Sequence, residues 1–122
     1  MGLSRIAQIA VTVRDPERAV RFYRDTLGVR LLFEAPPNLA FFDCDGVRLM
    51  IAPAKGAFEP PGSILYFAVD DIRARHQELA ARGVAFKTEP HMIAKLPDRE
   101  VWLADFEDGE GNTLALISEP RT

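Results

Sequence analysis

Only one cysteine, Cys44, occurs in the 122 residues, so no disulfide within the chain can staple the fold and a packed core has to hold it. That cysteine lies in Asp43-Cys44-Asp45-Gly46, where flanking carboxylates oppose the thiolate and make it a poor nucleophile. Long apolar runs are also missing. The stretch Ile6 to Val13 is interrupted by Gln8 and Thr12 and falls far short of the roughly 20 residues that cross a bilayer, and it has no cleavage pattern. Met1-Gly2 is not followed by the Ser or Thr that a myristoylation signal wants, since Ile6 stands there. The expectation is a soluble, cytoplasmic protein with no membrane partner. An excess of positive charge is lacking as well: 15 Lys plus Arg against 18 Asp plus Glu give a net charge of −3, no field for a phosphate backbone, so nucleic acid is not an expected partner. Glycine-rich phosphate loops are absent, and Ser4, Ser63 and Ser118 stand at the ends of predicted elements rather than in a nucleophile elbow.

What is present is a domain made twice. Hydrophobic residues make up 48% and charged residues 27%, a balance that supports one compact domain burying about two thirds of its unfolded surface. Gln8-Ile9-Ala10-Val11-Thr12-Val13-Arg14-Asp15 has the pattern of Ile64-Leu65-Tyr66-Phe67-Ala68-Val69-Asp70-Asp71, 56 residues on. Asp43 to Ile51 has the pattern of Asp108 to Leu116, 65 residues on, so the second copy carries nine extra residues. These fall between Thr88 and Arg99, where Pro90 and Pro97 favour a long irregular loop.

Each copy reads as strand, helix and three strands. Asp15-Pro16 is an N-cap with proline at the first helical position, and Ala19, Val20, Tyr23 and Leu27 recur at helical spacing until Gly28. Asp71 and Gly83 bracket the second helix, whose apolar stripe is Ile72, His76, Leu79 and Ala80. Strands are predicted near 29–34, 38–43 and 46–52, then near 84–88, 100–106 and 112–118. The breaker-rich segment 54–62 separates module one (1–53) from module two (63–122). Ile9, Val11 and Val13, like Leu65, Phe67 and Val69, form the more apolar parity and belong under the helix; Leu49, Ile51, Leu114 and Leu116 match them on the last strands. The other parity, with Gln8, Arg48 and Met50 in one copy and Tyr66 and Ala115 in the other, lies on a sheet face that no helix of its own module covers. The predicted architecture is α+β: two tandem βαβββ modules whose open faces meet in a curled, cup-shaped mixed sheet.

This arrangement resembles the vicinal oxygen chelate superfamily, which includes glyoxalase I, the bleomycin-resistance proteins and extradiol dioxygenases. The residues that carry the likeness are Ile9 to Pro16, Phe22-Tyr23-Arg24-Asp25-Thr26-Leu27-Gly28-Val29, Phe67 to Asp71, Arg82-Gly83-Val84, and Asp108-Gly109-Glu110-Gly111-Asn112. The last resembles the family's Asp-Pro-x-Gly-Asn turn with glycine in place of proline. The resemblance implies metal-ligand positions at Gln8, Met50, Ile64 and Ala115, where metal-dependent members carry His, Glu or Gln. Only Gln8 offers an oxygen, whereas a catalytic divalent ion needs three or more protein ligands, so neither a metal nor another cofactor is expected.

The residues left at the expected cup point to a binding module for a small organic molecule. Met50, Ile64, Tyr66 and Phe42 supply walls, Ala115 marks the floor, and Gln8, Arg48 and Asp105 fix orientation, Arg48 through a planar fork suited to carboxylate or phosphate. By the family likeness, Asp105 looks into the cup beside Ala115, where it serves as a base or cation partner or else pairs with Arg48 at the rim. The alternative is a glyoxalase- or dioxygenase-type enzyme, a lyase, isomerase or oxygenase, with either a diverged metal site or acid/base chemistry by Asp105 and by His91 on the extra loop. His76 is read as a partly buried helix residue, and Trp102 as facing the helix layer. Many members of the superfamily are homodimers, and the resemblance implies the same here.

Overall fold

The computed structural model describes residues 3, 4, 6–54 and 62–122. Most of the predicted linker, and Met1-Gly2, therefore lie outside the described residues. The chain divides into two compact units, Met1–Gly62 and Ser63–Thr122. No described helix is long and apolar enough to cross a membrane.

Unit 1 runs β1 (Gln8–Val13), α1 (Pro16–Arg21), β2 (Arg30–Ala35), β3 (Leu39–Cys44) and β4 (Val47–Pro53). Its sheet order is β1-β4-β3-β2, with β1 parallel to β4 and the other pairs antiparallel. Asp15 caps α1 by accepting from the Arg18 amide at 3.2 Å, which satisfies one of the amides that a helix start leaves without a partner. The helix does not run unchanged to Gly28: Phe22–Thr26 form a π turn, closed by the Leu27 amide donating to the Phe22 carbonyl at 2.9 Å. Val13, Ala19, Tyr23, Ala40, Phe42, Leu49 and Ile51 form the core between helix and sheet, with Val13, Leu49 and Ile51 on the parity expected of them. The hairpin from β3 to β4 turns on Asp45 and Gly46, with φ of 52° and 91°. Positive φ at both central residues makes a type I′ turn, whose twist matches that of the strands.

Unit 2 runs β5 (Leu65–Ala68), α2 (Ile72–Ala81), β6 (Ala85–Phe86), β7 (His91–Lys95), β8 (Glu100–Glu107) and β9 (Thr113–Ser118). The order is β5-β9-β8-β6, with β7 also paired to β8. The duplication is visible in atomic detail. Asp71 caps α2 through the Ala74 amide at 3.1 Å, with backbone angles of −119° and 96° against −123° and 98° at Asp15. Ala10 pairs with Met50 in unit 1, and their counterparts Tyr66 and Ala115 pair in unit 2. The turn after β8 is built differently. Both carboxylate oxygens of buried Asp108 are engaged, Oδ1 by the amides of Glu110 (2.7 Å) and Asn112 (3.1 Å) and Oδ2 by Asn112 Nδ2 (2.8 Å).

The long irregular loop expected between Thr88 and Arg99 is corrected. Five of its residues form β7, antiparallel to β8 with a bulge between Met92 and Ala94, because Met92, Ile93 and Ala94 follow the edge of β8 rather than leave it.

Candidate functional site

The open face of unit 1 is a set of cross-strand rows. Gln8 lies opposite Arg48, and Arg48 opposite Asp43; one row on, Ala10 lies opposite Met50, Met50 opposite Phe41, and Phe41 opposite Phe33. These neighbours touch. Arg48 Nε donates to Gln8 Oε1 at 2.6 Å, and Gln8 Nε2 lies 3.8 Å from Met50 Sδ. The Arg48 guanidinium sits 5.7 Å from the centre of the Phe41 ring, which stacks on Phe33 at 4.7 Å. A cation over an aromatic face is held by the ring's quadrupole, so Arg48 is oriented from two sides.

Gln8, Arg48 and Met50 thus stand together as the strand parity predicted. Phe42 does not join them, and its assignment to the ligand wall is corrected. Its side chain is fully buried on the helix side, with its ring 6.1 Å from Tyr23. Phe41 takes the open-face place instead. Both residues are phenylalanine, so the apolar pattern of β3 could not separate the faces. Hairpin arithmetic could have done so: an Asp-Gly two-residue turn sets Cys44 opposite Val47, and therefore Phe41 opposite Met50.

Further along the same parity, Leu39 and Ala52 line a small cleft with Pro37, Asn38 and Pro53; it has a volume of about 250 Å³ and is almost entirely apolar. A larger cleft of about 340 Å³ lies between Pro16, Val20 and the chain from Glu34 to Ala40. It is lined by the start of α1 and the hairpin from β2 to β3, away from Gln8 and Arg48.

In unit 2 the open-face row runs Tyr66, Ala115, Asp105, with Asp105 opposite Ala115 as the family likeness implied. Tyr66 is half exposed and Ile64, just before β5, is exposed at 44%. Ala115 has no exposed surface, so its expected ligand contact is corrected: it packs between its two neighbours. Asp105 is partly buried, and its backbone is pinned from both sides, the carbonyl by the Lys87 amide and the amide by Thr88 Oγ1 at 2.9 Å. Among the described residues its carboxylate has no hydrogen-bond or ion-pair partner. Lys87, absent from the sequence-based site, reaches Thr113 with Nζ at 2.8 Å. A lysine next to the last residue of a short predicted strand (84–88) gives no periodicity signal by which to find it.

His91 is placed on β7 opposite Leu103, not on a loop. Leu103 and Asp105 share a parity, so His91 and Asp105 fall on one face of the sheet in adjacent strands, although no hydrogen bond joins them. The ring atom Nδ1 bonds the Glu89 carbonyl at 2.8 Å, which leaves Nε2 as the atom with a free lone pair. His76 packs on Phe86 with ring centres 4.2 Å apart, and Nε2 lies 3.4 Å from a Glu89 carboxylate oxygen. Trp102 carries Arg73 of α2 over its ring at 5.0 Å, which confirms that it faces the helix layer.

Cys44 is poor material for chemistry. Desolvation by burial, then the negative charge of Asp43, push its thiol above the ordinary value.

The residues at the implied metal positions do not fit a divalent cation. In unit 1 the single oxygen donor, Gln8 Oε1, is already taken by a guanidinium at 2.6 Å, and a second positive charge beside Arg48 is opposed by Coulomb repulsion. In unit 2, Ile64 and Ala115 offer no lone pair. Among the described residues no three His, Cys, Asp or Glu side chains come together as a ligand set.

Three comparisons place this geometry among known proteins. The family model described as Glyoxalase/Bleomycin resistance protein/Dioxygenase superfamily matches residues 5–116. A "Glyoxylase-like domain-containing protein" of Didymella fabae is 30% identical, over 95% of this chain and 94% of its own. The protein YurT of Bacillus subtilis (strain 168) is 26% identical, over 94% of this chain and 99% of its own. Among solved structures, lactoylglutathione lyase from Agrobacterium tumefaciens superposes with a TM-score of 0.76 at 21% identity, covering 96% of this chain and 95% of that one, a likeness of fold alone.

Proposed function

The chain belongs to the glyoxalase/bleomycin resistance protein/dioxygenase superfamily, and we propose that its role there is to bind a small organic molecule at an open sheet face without a catalytic metal. The observation that carries this reading is the bond from Arg48 Nε to Gln8 Oε1: the oxygen that would hold a cation instead orients an organic cation of the protein's own. Met50, Phe41 and Phe33 supply apolar and aromatic surface in unit 1, and Tyr66, Ile64 and Asp105 supply a hydroxyl, an aliphatic wall and a carboxylate in unit 2. Taken by itself, each face offers surface for an apolar body and a few polar groups to fix its orientation.

Elemental analysis of protein purified without a chelating tag tests the proposal. The expected result is well below one metal per chain. Near-stoichiometric nickel, zinc, iron or manganese that is lost in Gln8→Ala would overturn it. Native mass spectrometry of the same sample reads retained ligand and subunit number, with a homodimer the proposed state.

A second reading, an acid/base enzyme, is favoured by one feature: the partly buried Asp105 carboxylate without a partner among the described residues, on the same sheet face as His91. Asp105 would take a proton from a bound substrate and, as the carboxylic acid so formed, return it to the product, with the lone pair of His91 Nε2 as a second proton acceptor on the same face. Turnover of a hemithioacetal that disappears in Asp105→Asn supports it, and inactivity across hemithioacetal and catechol substrates removes it.

A further inference from the structure

Resting on the metal-free reading, we infer that the ligand of unit 1's open face is an organic carboxylate with an aromatic or aliphatic body. Its two oxygens are taken by Arg48, and its body lies along Met50 and Phe41 toward the cleft at Leu39 and Ala52.

Three observations converge on this class. The first is an oriented but unneutralised guanidinium. Arg48 is exposed, fixed through Nε by Gln8 and through its plane by Phe41, and among the described residues no carboxylate stands within ion-pair distance of it. Its two terminal amino groups are left in the planar fork that matches a carboxylate's two oxygens. The protein as a whole is acidic, with a net charge of −3, so this positive charge is local and does not act as a general anion trap.

The second is a gradient of polarity along one face. From Arg48 to Ala52 is four residues of β4, about 13 Å at 3.3 Å per residue. Over that distance the open-face neighbours change from Gln8 and Asp43, through Met50 and Phe41, to Thr12 and Ala52. The charged groups among them are confined to the Arg48 end, and the far end offers only the neutral Thr12 hydroxyl, so a ligand with its charge at one end and carbon along most of the rest follows this order.

The third is the cleft at the far end. At about 250 Å³ and with almost wholly apolar walls, it takes a ring or a short chain, and no charged side chain lines it. It is below the size of pockets that enclose a drug-sized ligand, so it serves one end of the molecule. Arg48 thereby does by two hydrogen bonds what a Lewis acid does elsewhere: it holds two neighbouring oxygens of an organic molecule.

Titration calorimetry on the full-length protein tests the assignment with three probes of one shape: 4-phenylbutanoate, 4-phenylbutanamide and 4-phenylbutylamine. The carboxylate is expected to bind at least about tenfold tighter than the amide, with the amine weakest. Arg48→Met should weaken the carboxylate about 10- to 100-fold and leave the amide unchanged, and Arg48→Lys should recover only part of the loss because the fork is gone. Thermal melts of both variants control for folding, which an exposed side chain should not disturb. Amide or amine binding as tightly as the carboxylate would overturn the inference, as would an Arg48→Met protein that holds the carboxylate at full strength, or no heat from any probe at millimolar concentration. Metal content measured on the same samples separates the two claims. Stoichiometric metal removes the metal-free reading and this inference together, whereas a metal-free protein that prefers the amine removes this inference alone.

Discussion

The open faces of the two units share strand order and register but differ in chemistry. In unit 1, Met50 at the centre of the face is flanked by a guanidinium held by an amide and by a stacked aromatic pair. In unit 2 the equivalent centre is Ala115, flanked by the Tyr66 hydroxyl and the Asp105 carboxylate. The helix sides diverged far less: Val13, Leu49 and Ile51 in one and Leu114, Leu116 and Phe106 in the other are all buried aliphatic or aromatic residues. A fold used twice constrains the side that must exclude water and leaves the other side to recognition.

The sharpest way to test that division is to truncate the two phenylalanines that face opposite ways from neighbouring positions. Phe42→Ala should cost about 3–5 kcal/mol in urea denaturation because it empties a filled core site, and Phe41→Ala about 1 kcal/mol or less because its ring is only partly buried. Equal losses would mean that the open face is also structural. The two turns offer a second contrast. Asp108→Ala, which strands two buried amides and the Asn112 amide group, should cost about 2–3 kcal/mol. Asp43→Ala, which removes one bond at 3.1 Å to the exposed Gly46 amide, should cost about 1 kcal/mol or less. The helix caps are the control where no difference is expected: Asp15→Ala and Asp71→Ala should each cost about 1 kcal/mol, within a few tenths of each other. The smallest effect concerns Cys44. With its thiol raised by burial and by Asp43, alkylation by iodoacetamide should stay slow at pH 8 and reach half its maximal rate only above the usual thiol value, and Asp43→Asn should move that midpoint down.

The duplication made most of the fold legible. Two Asp-capped helices and two sets of alternating strands repeat at fixed offsets, and each piece of local chemistry agrees with the others. Parity then put Gln8, Arg48, Met50 and Tyr66 on the faces they occupy, because each of those strands has one face more apolar than the other, whereas Asp105, on a strand apolar on both parities, was placed beside Ala115 by the family likeness alone. It failed on β3, where consecutive phenylalanines give no alternation and only turn geometry decides. It failed on β7 because a bulge breaks the period and prolines at either end read as loop. Lys87 stayed hidden because its place depends on the pairing of a two-residue strand, too short to leave a pattern. The metal corners were legible as chemistry, since no arrangement gives an aliphatic side chain a lone pair; the Arg48 to Gln8 bond was not, because both residues are polar wherever they stand.

The π turn at Phe22–Thr26 has a consequence for how the molecule tolerates change in length. Such a turn holds one residue more than the α-helix it interrupts, so the chain there already carries a surplus that advances Leu27 and all that follows by about 100° of rotation. A single-residue deletion at 22–26 can be absorbed by tightening that coil to an ordinary helix, whereas the same deletion inside β3 or β4 would turn every inward side chain outward. The segment is a length buffer, and indels that survive selection in this half of the molecule should collect in it.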